Sequence, residues 1–385
     1  MKINRSTYNI IIISTLLSFR MLGLFMLLPV FSIFSHEYSN SSLILIGVAL
    51  GSYGFSQSIF IIPFGFLSDK YDRLSIIKIG LLIFALGSLI GYISSSIYGI
   101  ILARCLQGSA AISAVLLALV SDISDHKDIT RNMAFVGISI GASFLIAIIL
   151  GPIISYSIGI DKIFLFSFFS SILSLYISNR YLKVNKINVK KIFIKKKFNS
   201  FFNKNLLILY SSIFTIHANL TAIFLVIPHL LIQTSDFFFQ SIKFYLPILI
   251  IALFFSYPIL IFLEKRIKNM SIIFTAMGMF LISNFIILLF HDYYFQIFLG
   301  LAIFFISFNL LETFLPSLIS KTCYSELKGT TLGIFSCFQF IGIFFGGIVG
   351  GVINHMFGFH VVIYFCILMI FTWFLLNILY GKINE

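Results

Sequence analysis

Long apolar runs separated by short polar breaks make up nearly the whole chain. A bilayer-spanning helix needs roughly 20 apolar residues. Twelve runs meet that length, at about 8–34, 43–66, 75–94, 97–121, 132–157, 162–181, 205–231, 242–263, 270–290, 294–319, 329–354 and 358–380. The alternation of barrel strands is absent. Backbone groups in hydrocarbon must be satisfied within their own segment, which requires helices. The pattern therefore predicts an all-α membrane protein of twelve spans. The first run is too long for a signal peptide and no small-residue cleavage site follows it, so it is read as the first span.

Charge sharpens this picture. Only 10% of residues are charged and 59% are hydrophobic, against about 25% charged in soluble domains. The net charge of +13 reads as topology rather than nucleic-acid binding. Basic residues gather at alternate breaks: Lys2 and Arg5; Lys70, Arg73 and Lys78; Lys127 and Arg131; Lys265, Arg266 and Lys268; Lys321 and Lys328; Lys382. The largest cluster, from Arg180 to Lys204, contains no acid. The other breaks carry only Lys162 and Lys243. This asymmetry places both termini in the cytoplasm. The basic stretch 182–204 divides the chain into two six-span halves, 1–181 and 205–385. It reads either as a solvated linker that enforces orientation or as a contact for anionic lipid, at about 1 kcal/mol per basic residue. Cys105, Cys323, Cys337 and Cys366 show no metal or redox spacing. No cofactor, metal or nucleic-acid partner is expected.

The halves echo each other at a shift of 195. Pro63 falls on Pro258, Asp69 on Glu264, Lys70 on Lys265 and Gly151 on Gly346. Such a repeat predicts two pseudo-symmetric six-helix bundles with a site near the midplane.

The break after the second span reads Gly65-Phe66-Leu67-Ser68-Asp69-Lys70-Tyr71-Asp72-Arg73. Six of its positions (Gly65, Leu67, Ser68, Asp69, Lys70, Arg73) match the loop motif G-x-L-[AS]-D-[KR]-x-G-R-[KR], while Asp72 and Leu74 depart from it. Arg104-Cys105-Leu106-Gln107-Gly108 matches R-x-x-Q-G in span 4. Gly151-Pro152 matches part of G-x-x-x-G-P-x-x-G-G in span 5, where Ala147, Ser155 and Tyr156 replace glycines. On these motifs the whole chain resembles a major facilitator superfamily transporter of the drug/proton antiporter branch, in the YajR-like group. Members of that group often carry a soluble C-terminal domain. None is expected here, because only five residues follow Tyr380.

The resemblance implies that Asp69 faces the positive N-terminal end of span 11 and that Arg73 pairs with an acid at the end of span 4, where Asp122 and Asp125 stand. These contacts would latch one side of the protein. The bland alternative is a solvated turn. Asp72 occupies a glycine position, so a left-handed turn is expected there, which Asp tolerates better than most residues.

Ionisable groups inside spans are costly and mark function. Four stand out: Arg20, Arg104, His217 and Glu312. Glu312 is the sole carboxylate well inside a span. Desolvation favours the neutral form of an acid, which suits a reversible proton carrier. Asn309 and Glu312 share a helix face with Pro316. The alternative for Glu312 is a structural acid held by a neighbour. Arg104 matches the family arginine associated with proton coupling, or it braces its bundle through a carboxylate or carbonyls. Arg20 stands in a span where many relatives carry an acid, so coupling shifts to Glu312 or Arg20 holds an anionic substrate. His217 titrates near neutrality or is a packed core histidine. Gln57 and Gln339 are candidate polar contacts. Glycines at four-residue spacing (Gly137 and Gly141; Gly342, Gly346 and Gly350) predict close helix packing.

The function expected is secondary transport without enzymatic chemistry, as proton-coupled export of a small organic molecule by a monomer. The alternative is an uncoupled facilitator or uptake carrier of the same fold.

Overall fold

A computed structural model describes residues 5–124, 128–182, 202–232, 237–322 and 328–380. In order they form α1 (Arg5–Phe25), a short α2 (Phe31–Phe34), α3 (Leu43–Lys70), α4 (Arg73–Ile93), α5 (Ile97–Ser109), α6 (Ser113–Ile123), α7 (Ile129–Ile158) and α8 (Asp161–Tyr181). There follow α9 (Lys204–Ile232), α10 (Phe237–Glu264), α11 (Asn269–Leu289), α12 (Tyr294–Thr322), α13 (Lys328–Phe357) and α14 (Phe359–Tyr380). Twelve spans are long and apolar enough to cross a membrane, with α5 and α6 together forming the fourth. The stretch 183–201, which holds most of the basic linker, and Asp125 lie outside the described residues.

Two spans differ from their expected form. The first helix stops at Phe25 rather than continuing to 34, four residues before Pro29, which has no N–H to donate. The fourth breaks at Ala110–Ile112, where Ala111 and Ile112 donate to carbonyls only two residues back (2.8 Å each).

The residues group into two compact units: Met1–Ser41 with Ser52–Ile194, and Ser42–Gly51 with Lys195–Glu385. The first turns of α3 thus belong with the second unit, where Gly47 and Gly51 lie against the backbone of Gly347 and Phe344. Within the first unit, α1 packs on α7 and α8, and α4 on α5 and α8. Within the second, α9 packs on α13 and α14, and α11 on α12 and α14. Each unit therefore pairs its first span with its fifth and sixth, and its third with its fourth and sixth. The two units repeat one plan.

Particular residues repeat as well. A Cβ on Gly151 would run into the carbonyl of Met26 in its own unit, and one on Gly346 into that of Ala218 in the other. Gly151 lets the fifth helix of its unit meet the chain just past the end of the first, and Gly346 lets its fifth helix meet the first, both at backbone distance. Gly159 (φ 102°) ends α7 and Gly358 (φ 81°) ends α13, in left-handed geometry that favours glycine. Each donates its N–H to the carbonyl four residues back, and the next helix begins at once.

Buried hydroxyls are satisfied inside the spans. Ser88 and Ser167 donate to carbonyls one turn back. Ser171 donates across to Leu81 (2.7 Å), and Ser283 to Gly300 (2.8 Å). Large apolar side chains such as Ile138, Phe254 and Leu368 are exposed on the helices. That would be a liability in water and is the matched surface for hydrocarbon.

Gly342 also abuts a backbone carbonyl, that of Phe214, and Gly350 touches Ala222 and Leu225. Gly137 and Gly141 differ from expectation, because a Cβ on either meets nothing within 4 Å. Glycine spacing alone does not say what faces the helix. Gly346→Ala is therefore expected to lower stability by about 1–3 kcal/mol through overpacking. Gly137→Ala should stay within about 0.5 kcal/mol. Thermal unfolding of the detergent-solubilised variants separates the two.

Candidate functional site

The turn between α3 and α4 is built by local chemistry. Asp72 has φ −59° and ψ 122°, so it is not left-handed as its glycine-like position led one to expect. It is the N-cap of α4: its Oδ2 accepts from the Ser75 N–H and Oγ, both at 3.0 Å. This cap replaces the flexible glycine of the motif. Arg73 Nε lies 2.6 Å from Asp122 Oδ2 at the end of α6, and its Nη1 donates to Ser68 Oγ (3.2 Å). Asp122 is the acid that takes Arg73. The Lys70 ammonium sits over the Phe66 ring at 4.2 Å. Gly65 is helical and would admit a Cβ freely. The Asp69 side chain lies outside the described residues.

The first unit buries a second polar cluster. Arg20, on α1, is 2% exposed. Its Nη2 donates to Gln57 Oε1 at 2.5 Å, and Gln57 Nε2 donates to Ser113 Oγ at 3.3 Å. Ser113 is the first residue of α6, so the break in span 4 supplies this acceptor. Arg104, equally buried, sits 4.8 Å from the centre of the Tyr53 ring, and Arg20 sits 5.9 Å from the same ring. Arg104 Nη1 donates to Gln107 Oε1 (3.1 Å), and Gln107 Nε2 donates to Ser88 Oγ (2.9 Å). A Cβ on Gly108 would strike the Tyr53 carbonyl. The R-x-x-Q-G run therefore has a physical reading: the arginine stacks on α3, the glutamine ties α5 to α4, and the glycine admits the α3 backbone. Of the expected partners, a carboxylate or carbonyls, Arg104 finds the amide carbonyl oxygen of Gln107.

Tyr53 was not singled out from sequence. It lies one helical turn before Gln57 on α3, a spacing that shares a face and could have flagged it.

The second unit brings together three residues predicted separately. Gln339 Nε2, on α13, lies 2.8 Å from His217 Nε2 on α9 and 3.2 Å from Glu312 Oε1 on α12. His217 Nδ1 is 3.1 Å from the Ile213 carbonyl and must carry the ring hydrogen there. Nε2 is then the acceptor, and the Gln339 amide donates one hydrogen to the histidine and one to the carboxylate. Glu312 Oε2 lies 3.7 Å from His217 Nε2. That oxygen is buried and has no hydrogen-bond partner among the described residues. His217 also packs on Phe308, with ring centres 5.3 Å apart. Asn309 shares the helix but makes no hydrogen bond to this trio.

The arrangement is two buried cations in the first unit and, in the second, a part-buried His–Gln–Glu bridge whose histidine and Glu312 Oε2 are buried. No group of three metal-ligating side chains occurs among the described residues.

Residues 13–346 match the family model described as Major Facilitator Superfamily. The chain is 36% identical over 358 residues to the inner membrane transport protein YajR of Escherichia coli, covering 92% of this chain and 78% of that protein. It is 37% identical over 378 residues to a transporter of Buchnera aphidicola subsp. Baizongia pistaciae, covering 96% of each. A crystal structure of an auto-inhibited POT family peptide transporter superposes with a TM-score of 0.75 at 11% identity, covering 99% of this chain and 98% of that one. That likeness shows the fold alone. With twelve apolar spans in a repeated six-helix plan, and with relatives of this identity along most of its length, the chain belongs to the Major Facilitator Superfamily and is a multi-pass membrane transporter of small molecules rather than an enzyme.

Proposed function

We propose that the protein is a proton-driven antiporter that exports a small organic molecule across a bacterial inner membrane, with both termini in the cytoplasm. The observation that carries this reading is the His217–Gln339–Glu312 bridge. A carboxylate inside a span is retained at a cost that function offsets. One of its oxygens is already tied to an amide, and the other is buried and open to receive a proton. A proton arriving on Oε2 leaves the Gln339 hydrogen bonds intact. It removes a charge from the unit and so biases a two-state equilibrium.

In this reading the halves 1–181 and 205–385, joined by 182–204, are the moving bodies, and a monomer suffices. The Arg73–Asp122 pair holds the α3–α4 turn in place, and beside that turn Asp69 serves as the latch of one side. Asp69→Asn is then expected to depress transport while leaving membrane insertion intact, measured as flux against the amount of inserted protein. Wild-type flux would remove the latch.

One observation favours an uncoupled facilitator. Span 1 carries Arg20 in place of an acid, and the described acids of the first unit stand at helix ends or between helices. Flux of a compound panel into liposomes with an imposed pH gradient decides between the two. Accumulation that follows the gradient supports antiport. Equilibration independent of the gradient supports the facilitator.

A further inference from the structure

The first unit places two guanidinium groups in its interior and gives neither a carboxylate among the described residues. Arg20 Nη2 has the Gln57 amide oxygen, but its Nε and Nη1 are buried and find no acceptor among the described residues. Arg104 Nε is buried in the same condition. Both cations lie on the Tyr53 ring. An aromatic face offsets about 0.5–2 kcal/mol of such a charge, whereas burying an unpaired ion costs several kcal/mol. The surroundings hold Arg20 in position rather than neutralise it. Gln57 is oriented by Ser113 at the helix break, so its oxygen, not its NH2, faces the guanidinium.

A buried cation with fixed orientation and bare donors is complementary to an anion that the described residues do not supply. We propose that Arg20, backed by Arg104, is an anion-recognition site and that the transported molecule is an organic carboxylate, whose oxygens accept from Arg20 Nε and Nη1. This rests on the transporter reading, because Arg20 is 2% exposed and must become accessible during a transport cycle. It does not rest on proton coupling.

The test is thermal unfolding of the purified full-length protein in detergent with no gradient present. The probes are benzoate and succinate, inorganic phosphate and chloride, and the non-anionic benzamide and benzylammonium. Benzoate or succinate at saturation should raise the Tm by about 3 °C or more, with no response to benzamide or benzylammonium. A response confined to chloride or phosphate overturns the assignment to substrate, and a response to none of the anions overturns the site. Arg20→Gln should raise the Tm of the ligand-free protein, because it removes an uncompensated charge, and should abolish the anion response. A purely structural arginine predicts the opposite sign in the ligand-free protein. Where Arg20→Gln does not fold, Arg20→Lys supplies the reading: a midpoint at least tenfold weaker supports the site, and an unchanged midpoint contradicts it. Loss of gradient-driven flux with the anion response intact would refute the antiport mechanism and leave this site standing.

Discussion

Glu312→Gln is expected to abolish gradient-driven accumulation while leaving passive exchange of substrate measurable. One pH unit is a tenfold proton ratio, equivalent to about 1.4 kcal/mol, so one-for-one exchange sustains at most about a tenfold substrate ratio. In the variant that ratio should fall to about one. The substitution keeps the shape of the side chain and leaves an oxygen to accept from Gln339, so the 3.2 Å contact survives. What disappears is the carboxylate oxygen proposed to gain and lose a proton. Retained accumulation in Glu312→Gln would assign coupling elsewhere. Normal coupling in a His217→Gln variant would reduce the histidine to a packing role and leave the carboxylate as the sole carrier.

The second large effect concerns the turn between α3 and α4. Arg73 and Asp122 meet at 2.6 Å with side chains 12% and 22% exposed, so solvent screens the pair less than a surface ion pair. Arg73→Asp sets two carboxylates against each other, and Asp122→Arg sets two cations together. Each single reversal should cut flux severely and lower the Tm. The double reversal restores opposite charges and should recover much of both. A coupling of about 1–3 kcal/mol between the two sites is expected from the four-protein cycle. Simple additivity would show that the pair does not hold the turn. Ser68 limits the recovery, because its Oγ accepts from Arg73 Nη1 and an aspartate there does not repeat that bond.

Span number and the repeat were legible because hydrocarbon leaves the chain little choice: twenty apolar residues in a row have one stable form. The repeat was visible at Gly151 and Gly346, and the structure shows why, since Gly151 admits the Met26 carbonyl just past the end of α1 and Gly346 that of Ala218 on α9. The same spacing logic failed at Gly137 and Gly141, where periodicity names a small-residue face without naming a neighbour. The break after Ser109 was invisible, because Ala110-Ala111-Ile112 reads as apolar helix by composition. Asp72 was misjudged for a related reason. Sequence marks the position as needing a turn, but only the backbone angles distinguish a left-handed glycine substitute from an N-cap. Among the site residues, each buried charge announced itself by rarity. Their grouping did not, because nothing local links His217, Glu312 and Gln339 across three helices. Tyr53 hid among many aromatics and gained meaning only when both arginines were found over its ring.

The claim on which the coupling account stands is that Glu312 changes its protonation state reversibly inside the membrane. Infrared difference spectroscopy of the reconstituted protein across a pH titration reads this directly. The account predicts a carboxyl C=O band that grows on acidification, reverses on return, and is missing in Glu312→Gln. Identical titration spectra for the wild type and Glu312→Gln would contradict it.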